Sequence, residues 1–123
     1  MKKFISIVTP CFNEEHNIKN LCKKIKEIFL KLNYDYEHIV IDNKSTDDTR
    51  KILKSLASVD KNLKLILNNK NYGHIRSPYH AIMESNGDAI ILISADFQDP
   101  PELIPDLISK WESGSNVVML KRK

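Results

Sequence analysis

With 123 residues the chain is long enough for one compact domain and hardly for two. At 41% hydrophobic and 28% charged, its composition excludes a disordered chain, and no run approaches the roughly 18 apolar residues of a membrane-spanning helix. A net charge of +3 is too small to argue for nucleic acid, though it suits phosphate ligands or an anionic membrane surface.

The chain opens on "MKKFISIVTPCFNEE", which imitates a signal peptide only superficially. Its apolar run ends at Pro10, and no small-residue cleavage site follows. "FISIVT" (4–9) predicts a strand. "EEHNIKNLCKKIKEIFLKL" then sets Ile18, Leu21, Cys22, Ile25, Ile28, Phe29 and Leu32 on one helical stripe, with the lysines between Lys19 and Lys31 on a solvated face. A second strand, "EHIVI" (37–41), precedes a helix carrying Ile52, Leu53 and Leu56. "LKLILN" (63–68) is the third strand and "SPYHAIMESNG" the third helix. "DAIILIS" (88–94) is the fourth strand. "PPELIPDLISKWESG" is the fourth helix, packed by Trp111, and "SNVVML" (115–120) the fifth strand. Several of these strands are nearly continuous apolar runs, the pattern of a parallel sheet covered on both faces. The alternation predicts an α/β domain: an open, mainly parallel sheet with right-handed crossovers and helices on both faces. Cys11 and Cys22 show neither CxxC nor metal spacing, so they are expected to be reduced, in a cytoplasmic protein.

In such sheets ligands bind beyond the carboxyl ends of the strands. Three loops there are unusual. In "TPCFNEE", Pro10 holds Thr9 extended and favours a sharp exit from the strand, leaving Phe12 to stack or pack. Asn13 is expected to cap the next helix with Glu14 and Glu15 in its first turn. Capping accounts for one of these glutamates and leaves the other for a ligand. In "IDNKSTDDT", Ser45, Thr46, Asp48 and Thr49 read as helix capping. Asp42 precedes the cap and ends a buried strand, where a carboxylate is costly unless paired or solvated. There it could accept the imide N–H of a uracil or the N–H groups of a guanine. In "ISADFQDPPELI", Asp99, Pro101 and Glu102 fit a capping box. That leaves Ser94, Asp96 and Gln98, which share a direction at strand spacing. Their oxygen-only chemistry suits Mg²⁺ or Mn²⁺ bridging phosphates.

Gly73, Gly87 and Gly114 are the only glycines, and none lies between the first strand and its helix. That excludes both a GxGxxG fingerprint and a GxxxxGK[ST] phosphate loop. Phosphate must be met by a metal or by basic side chains; His74 and Arg76 are either helpers in this or ordinary helix-start residues. His16, His38 and His80 show no ligand spacing and read as surface or packing residues.

Taken in order, "SIVTPCFNEEHNI", "HIVIDNKSTDDT" and "NYGHIRSPYHAIMESNGDAIILISADFQDPPELIPDLISKWESG" resemble the family 2 glycosyltransferases of GT-A fold. The likeness is greatest to the branch that charges polyprenyl phosphates with sugar. It covers nearly the whole chain. It implies that residues 1–123 form a single nucleotide-sugar-binding domain, Rossmann-like and shorter than the family because the acceptor half is absent. It implies a UDP- or GDP-linked donor, a divalent metal, and a polyprenyl-phosphate acceptor reached from the cytoplasmic face of the membrane. By position, Pro10, Phe12 and Glu14 line the nucleoside pocket and Asp42 holds the base. Ser94, Ala95, Asp96 and Gln98 fall on the segment that meets diphosphate and metal, with Asp96 catalytic and Asp96 and Gln98 the metal ligands. Ser94 stands where the family pattern "DADLQDPPE" has its first aspartate, which removes one charge. Asn43 stands where many members have a second aspartate. Two other readings compete: a non-catalytic nucleotide-sugar-binding module, and a receiver domain. The receiver needs acidic residues where the chain reads "TPCF" and "NNKN".

Overall fold

The computed structural model describes residues 3–71, 73–98 and 100–114, with backbone alone for 73–78. The expected fifth strand, the capping role of Asp99 and the side chains of His74 and Arg76 therefore lie outside the described residues.

The elements are β1 (Phe4–Cys11), α1 (Ile18–Lys31), β2 (Asp35–Asp42), α2 (Thr49–Ala57), β3 (Leu63–Leu67), α3 (Gly73–Glu84), β4 (Ala89–Leu92), a 3₁₀ turn (Pro101–Leu103) and α4 (Ile104–Glu112). The four strands form one parallel sheet in the order β3-β2-β1-β4. The chain builds outward from β1 through β2 to β3, then returns to the far side of β1 for β4. Strand order thus reverses at β1, and the crevice that a reversal creates opens between the carboxyl ends of β1 and β4.

Helices cover both faces, as the alternation predicts. Ile5, Ile7, Val40 and Leu63 pack on one face beneath Ile18, Leu21, Ile25 and Phe29 of α1, Leu53 of α2, and Ile104 and Ile108 of α4. On the other face Val8, Ile39 and Ile41 pack against Ala81 of α3. β4 departs from expectation. It is four residues long, and Ile90 and Leu92 are 42% and 50% exposed. Ile90 and Leu92 pair with Ser6 and Val8, which puts them on the α3 face. Ala81 of α3 packs over β1 and β2, so among the described residues that side of β4 is uncovered.

Two buried polar groups brace the sheet. Glu37, nearly inaccessible, accepts from the Ser6 hydroxyl (2.5 Å), the Lys64 ammonium (2.6 Å) and the Asn86 N–H (2.7 Å). Burial pushes the Glu37 carboxyl up, but these donors outweigh it and hold it below its ordinary value. The Gly87 N–H reaches the Ser6 hydroxyl at 2.8 Å, so the α3–β4 connection is stitched to the amino end of the sheet. His38 is fully buried with one ring nitrogen 2.8 Å from the Thr9 hydroxyl, and burial pushes its pKa down to about 3. It is a neutral packing residue, one of the two roles the sequence allows it.

Candidate functional site

The crevice opens where a proline sits. Val8 O accepts the Ile93 N–H (3.0 Å), so the Val8 peptide faces β4; Cys11 O accepts the Asn43 N–H (2.8 Å), so that of Cys11 faces β2. Hydrogen-bonding direction alternates along a strand, which turns the nitrogen of Pro10 toward β4. Having no N–H, Pro10 offers β4 no donor to pair with. β1 stays paired with β2 as far as Cys11 but with β4 only as far as Val8. The residue expected to end the first strand instead lies inside it and ends the pairing on one side.

The loops after β1 and β2 are zipped together. The Asn13 carboxamide accepts the Thr46 N–H (2.8 Å), and the Asn13 N–H donates to the Ser45 hydroxyl (2.8 Å). The Glu14 N–H donates to the Thr49 hydroxyl (2.9 Å), and the Asp48 N–H donates to the Glu15 carboxylate (3.1 Å). Asn13 therefore caps the neighbouring loop and not its own helix. α1 starts at Ile18, three to four residues later than the glutamates suggest, because both glutamates are committed to the loop. The Glu14 carboxylate also accepts from the Asn17 amide (3.0 Å). Phe12 stands 46% exposed at the mouth of the crevice.

Asp42 is wholly buried. It accepts from the Ser45 N–H (3.0 Å), the Ser45 hydroxyl and the Arg50 Nε–H (2.5 Å), while an Nη2–H of Arg50 goes to the Asn68 carbonyl. The buried carboxylate is thus paired, and Ser45, read from sequence as a helix cap, serves Asp42. Its main partner, Arg50, was missed by sequence reasoning. One signal was available: a cation in the first turn of a helix opposes the helix dipole and calls for a partner. Asp47, bonded by both the N–H (2.9 Å) and the hydroxyl of Thr49, takes the capping role given to its neighbours. Between the first two loops lies Cys11. Burial pushes its thiol up, and the charges of Asp42 and Glu14 add to the shift, so both carboxylates bear on one point.

The third loop completes the rim. After β4 the chain leaves extended geometry, so Ser94, Asp96 and Gln98 are gathered by a turn and not by strand alternation. The Ser94 hydroxyl donates to Asp96 Oδ1 (2.7 Å), and the Gln98 N–H reaches the same oxygen (3.1 Å). Ala95 is buried in the core and Phe97 packs against it, which leaves Asp96 and Gln98 outermost. Asn13, Lys44 and Phe97 have positive φ of 52°, 63° and 63°, one in each loop, and are the only non-glycine residues so placed among those described. Backbone strain of this kind gathers at functional sites.

As a cation site the third loop fits a hard divalent ion sparingly. The donors are oxygens, as Mg²⁺ and Mn²⁺ prefer, but Asp96 is its only described carboxylate. No cluster of three His, Cys, Asp or Glu suited to a metal occurs among the described residues. An ion here would take most of its coordination from phosphate oxygens of a ligand. A separate groove of about 450 Å³ lies at the amino end of the sheet, lined by Lys26, Phe29, Tyr34, Tyr36 and Lys61 among others. It holds none of the three loops. No described helix is long and apolar enough to cross a membrane.

Residues 6–123 match the family described as glycosyl transferase family 2. The chain is 37% identical over 118 residues to the prophage bactoprenol glucosyl transferase homolog of Escherichia coli, covering 96% of this chain and 39% of that protein. It is 33% identical over 120 residues to the undecaprenyl-phosphate 4-deoxy-4-formamido-L-arabinose transferase of Proteus mirabilis, covering 97% and 37%. The chain thus spans less than two fifths of the length of these relatives. Among solved structures it is similar to a mannosyltransferase from Pyrobaculum calidifontis in complex with GDP-Man and Mn²⁺ (TM-score 0.76, 20% identity, 99% of this chain and 36% of the other). It is also similar to glucosyl-3-phosphoglycerate synthase of Mycobacterium tuberculosis in complex with Mn²⁺, UDP and phosphoglyceric acid (TM-score 0.73, 24% identity, 94% and 41%).

Proposed function

The chain belongs to glycosyl transferase family 2 and carries a parallel sheet of the GT-A fold, and from that premise we propose that it binds the donor in a transferase that moves sugar from a UDP- or GDP-sugar to a polyprenyl phosphate, with inversion. The observation that carries this reading is the crevice at the strand-order reversal, opened by Pro10 and flanked by the loops of Glu14, Asp42 and Asp96. Pro10, Phe12 and Glu14 line the nucleoside side, with Asp42 beneath it. Ser94, Asp96 and Gln98 face the diphosphate, Ala95 contributing only backbone because its side chain lies in the core, and Asp96 with Gln98 would hold Mg²⁺ or Mn²⁺. The ion, when bound, offsets the charge of the departing nucleoside diphosphate. Asp96 is held ready for this by the Ser94 hydroxyl and the Gln98 N–H. The acceptor proposal rests on the two named relatives, one a bactoprenol and one an undecaprenyl-phosphate transferase. A phosphate monoester is already mostly ionised at neutral pH, so such an acceptor asks for no strong general base and the reaction takes place at the membrane surface.

One observation favours a second reading, that of a non-catalytic nucleotide-sugar-binding module: Ser94 supplies a hydroxyl where the family pattern has a carboxylate. A turnover assay with UDP- and GDP-sugars, polyprenyl phosphate and Mn²⁺ separates the two. Sugar-lipid product supports the transferase; saturable donor binding without product supports the module.

A further inference from the structure

The Asp42 carboxylate is fully buried and already engaged by two donors from Ser45 and one from Arg50, so it has little left to offer a ligand. The guanidinium beside it is the reverse case. Its bonds to Asp42 and to the Asn68 carbonyl occupy two of the five N–H donors a guanidinium carries. Among the described residues no other acceptor meets it, and the side chain is 28% exposed. It sits at the carboxyl ends of β2 and β3, and its place in the first turn of α2 works against the helix dipole, so helix stability does not account for it.

We infer that Arg50 is the member of this pair that touches the nucleoside, and that Asp42 is a positioning residue that fixes the plane of the guanidinium. The outward N–H groups of Arg50 take a carbonyl oxygen on the base edge. Uracil and guanine both present one, whereas adenine presents an amino group in its place. A fixed planar fork suits this task better than a mobile ammonium. The inference rests on the nucleotide-sugar reading above and alters one role within it: Asp42 acts through Arg50.

The test is calorimetric titration, with Mn²⁺, of the tighter-binding of UDP and GDP, of ADP, and of inorganic pyrophosphate. Wild type is compared with Arg50→Ala, Arg50→Gln, Arg50→Lys and Asp42→Asn. Wild type is expected to prefer the keto-base nucleotide to ADP. Arg50→Ala and Arg50→Gln are expected to weaken that nucleotide roughly 10- to 100-fold, the scale of hydrogen bonds to a charged group, and to leave pyrophosphate unchanged. Arg50→Lys restores only part of the loss, and Asp42→Asn loses less than Arg50→Ala. A purely structural Arg50 would weaken nucleotide and pyrophosphate together, and that result overturns the inference. So does a base preference that survives in both neutral variants. Wild type that binds neither UDP nor GDP overturns the nucleotide reading itself, and this inference with it.

Discussion

His38 is an imidazole that burial keeps from taking a second proton. Its pKa is depressed in the folded protein to about 3, against an ordinary value near 6.5. Below that ordinary value the unfolded chain takes up a proton that the folded chain refuses, so stability falls as pH drops from about 6.5 toward 3. The slope approaches about 1.4 kcal/mol per pH unit once the unfolded imidazole is fully charged. Glu37 works in the same direction but in a lower window, because its lowered carboxyl value is felt only below the ordinary carboxylate range. Urea denaturation at pH 7 and pH 5 is therefore expected to show wild type losing on the order of 1–2 kcal/mol, with His38→Gln losing much less over the same interval. An equal loss in both proteins would remove His38 as the cause. Lys44 gives a second residue-scale expectation. Its positive φ suits glycine, so Lys44→Gly is expected to stabilise the fold by up to about 1 kcal/mol in the same assay. At this scale the sequence was half legible. That Asp42, a carboxylate ending a buried strand, must be paired followed from its position; that its partner would be Arg50 did not, because the pairing depends on how α2 docks over β3.

Elements were easier to find than to bound. Each expected helix and the first four strands exist, since period and β-branched runs report burial directly. Their ends moved where tertiary contacts captured the polar residues. Asn13, Glu14 and Glu15 look like the start of a helix in isolation, but the loop after β2 binds their polar groups and α1 waits until Ile18. The β4 run stops early because Ser94 and Asp96 close a turn of their own. The α3–β4 connection shows the opposite case, where one small residue is indispensable. A Cβ on Gly87 would lie 2.5 Å from the Ser6 nitrogen and 2.7 Å from the Ala89 carbonyl oxygen, both backbone atoms. Gly87→Ala is expected to cost on the order of 1–3 kcal/mol in thermal or urea denaturation, the range of an overpacked interior site. A variant as stable as wild type would show that β4 can shift away from β1 without loss.

At the scale of the whole molecule, the order β3-β2-β1-β4 does most to decide where function lies. It puts the loops of Glu14, Asp42 and Asp96 at one end of the sheet, with the reversal between β1 and β4 among them. There were grounds in the sequence to search the carboxyl ends of the strands, because a βα alternation implies parallel strands and parallel strands share an end. It did not reveal that Pro10 would open the crevice by lacking a donor for β4, since that depends on strand order. The central claim is that this crevice holds a nucleoside diphosphate through a divalent ion at Asp96. The most direct measurement is calorimetric titration of wild type and Asp96→Ala with UDP and with GDP, each with and without Mn²⁺. Wild type should bind at least one of the two more tightly when Mn²⁺ is present, and Asp96→Ala should lose that Mn²⁺-dependent gain. An Asp96→Ala protein whose affinity still rises with Mn²⁺ as wild type's does would contradict the account.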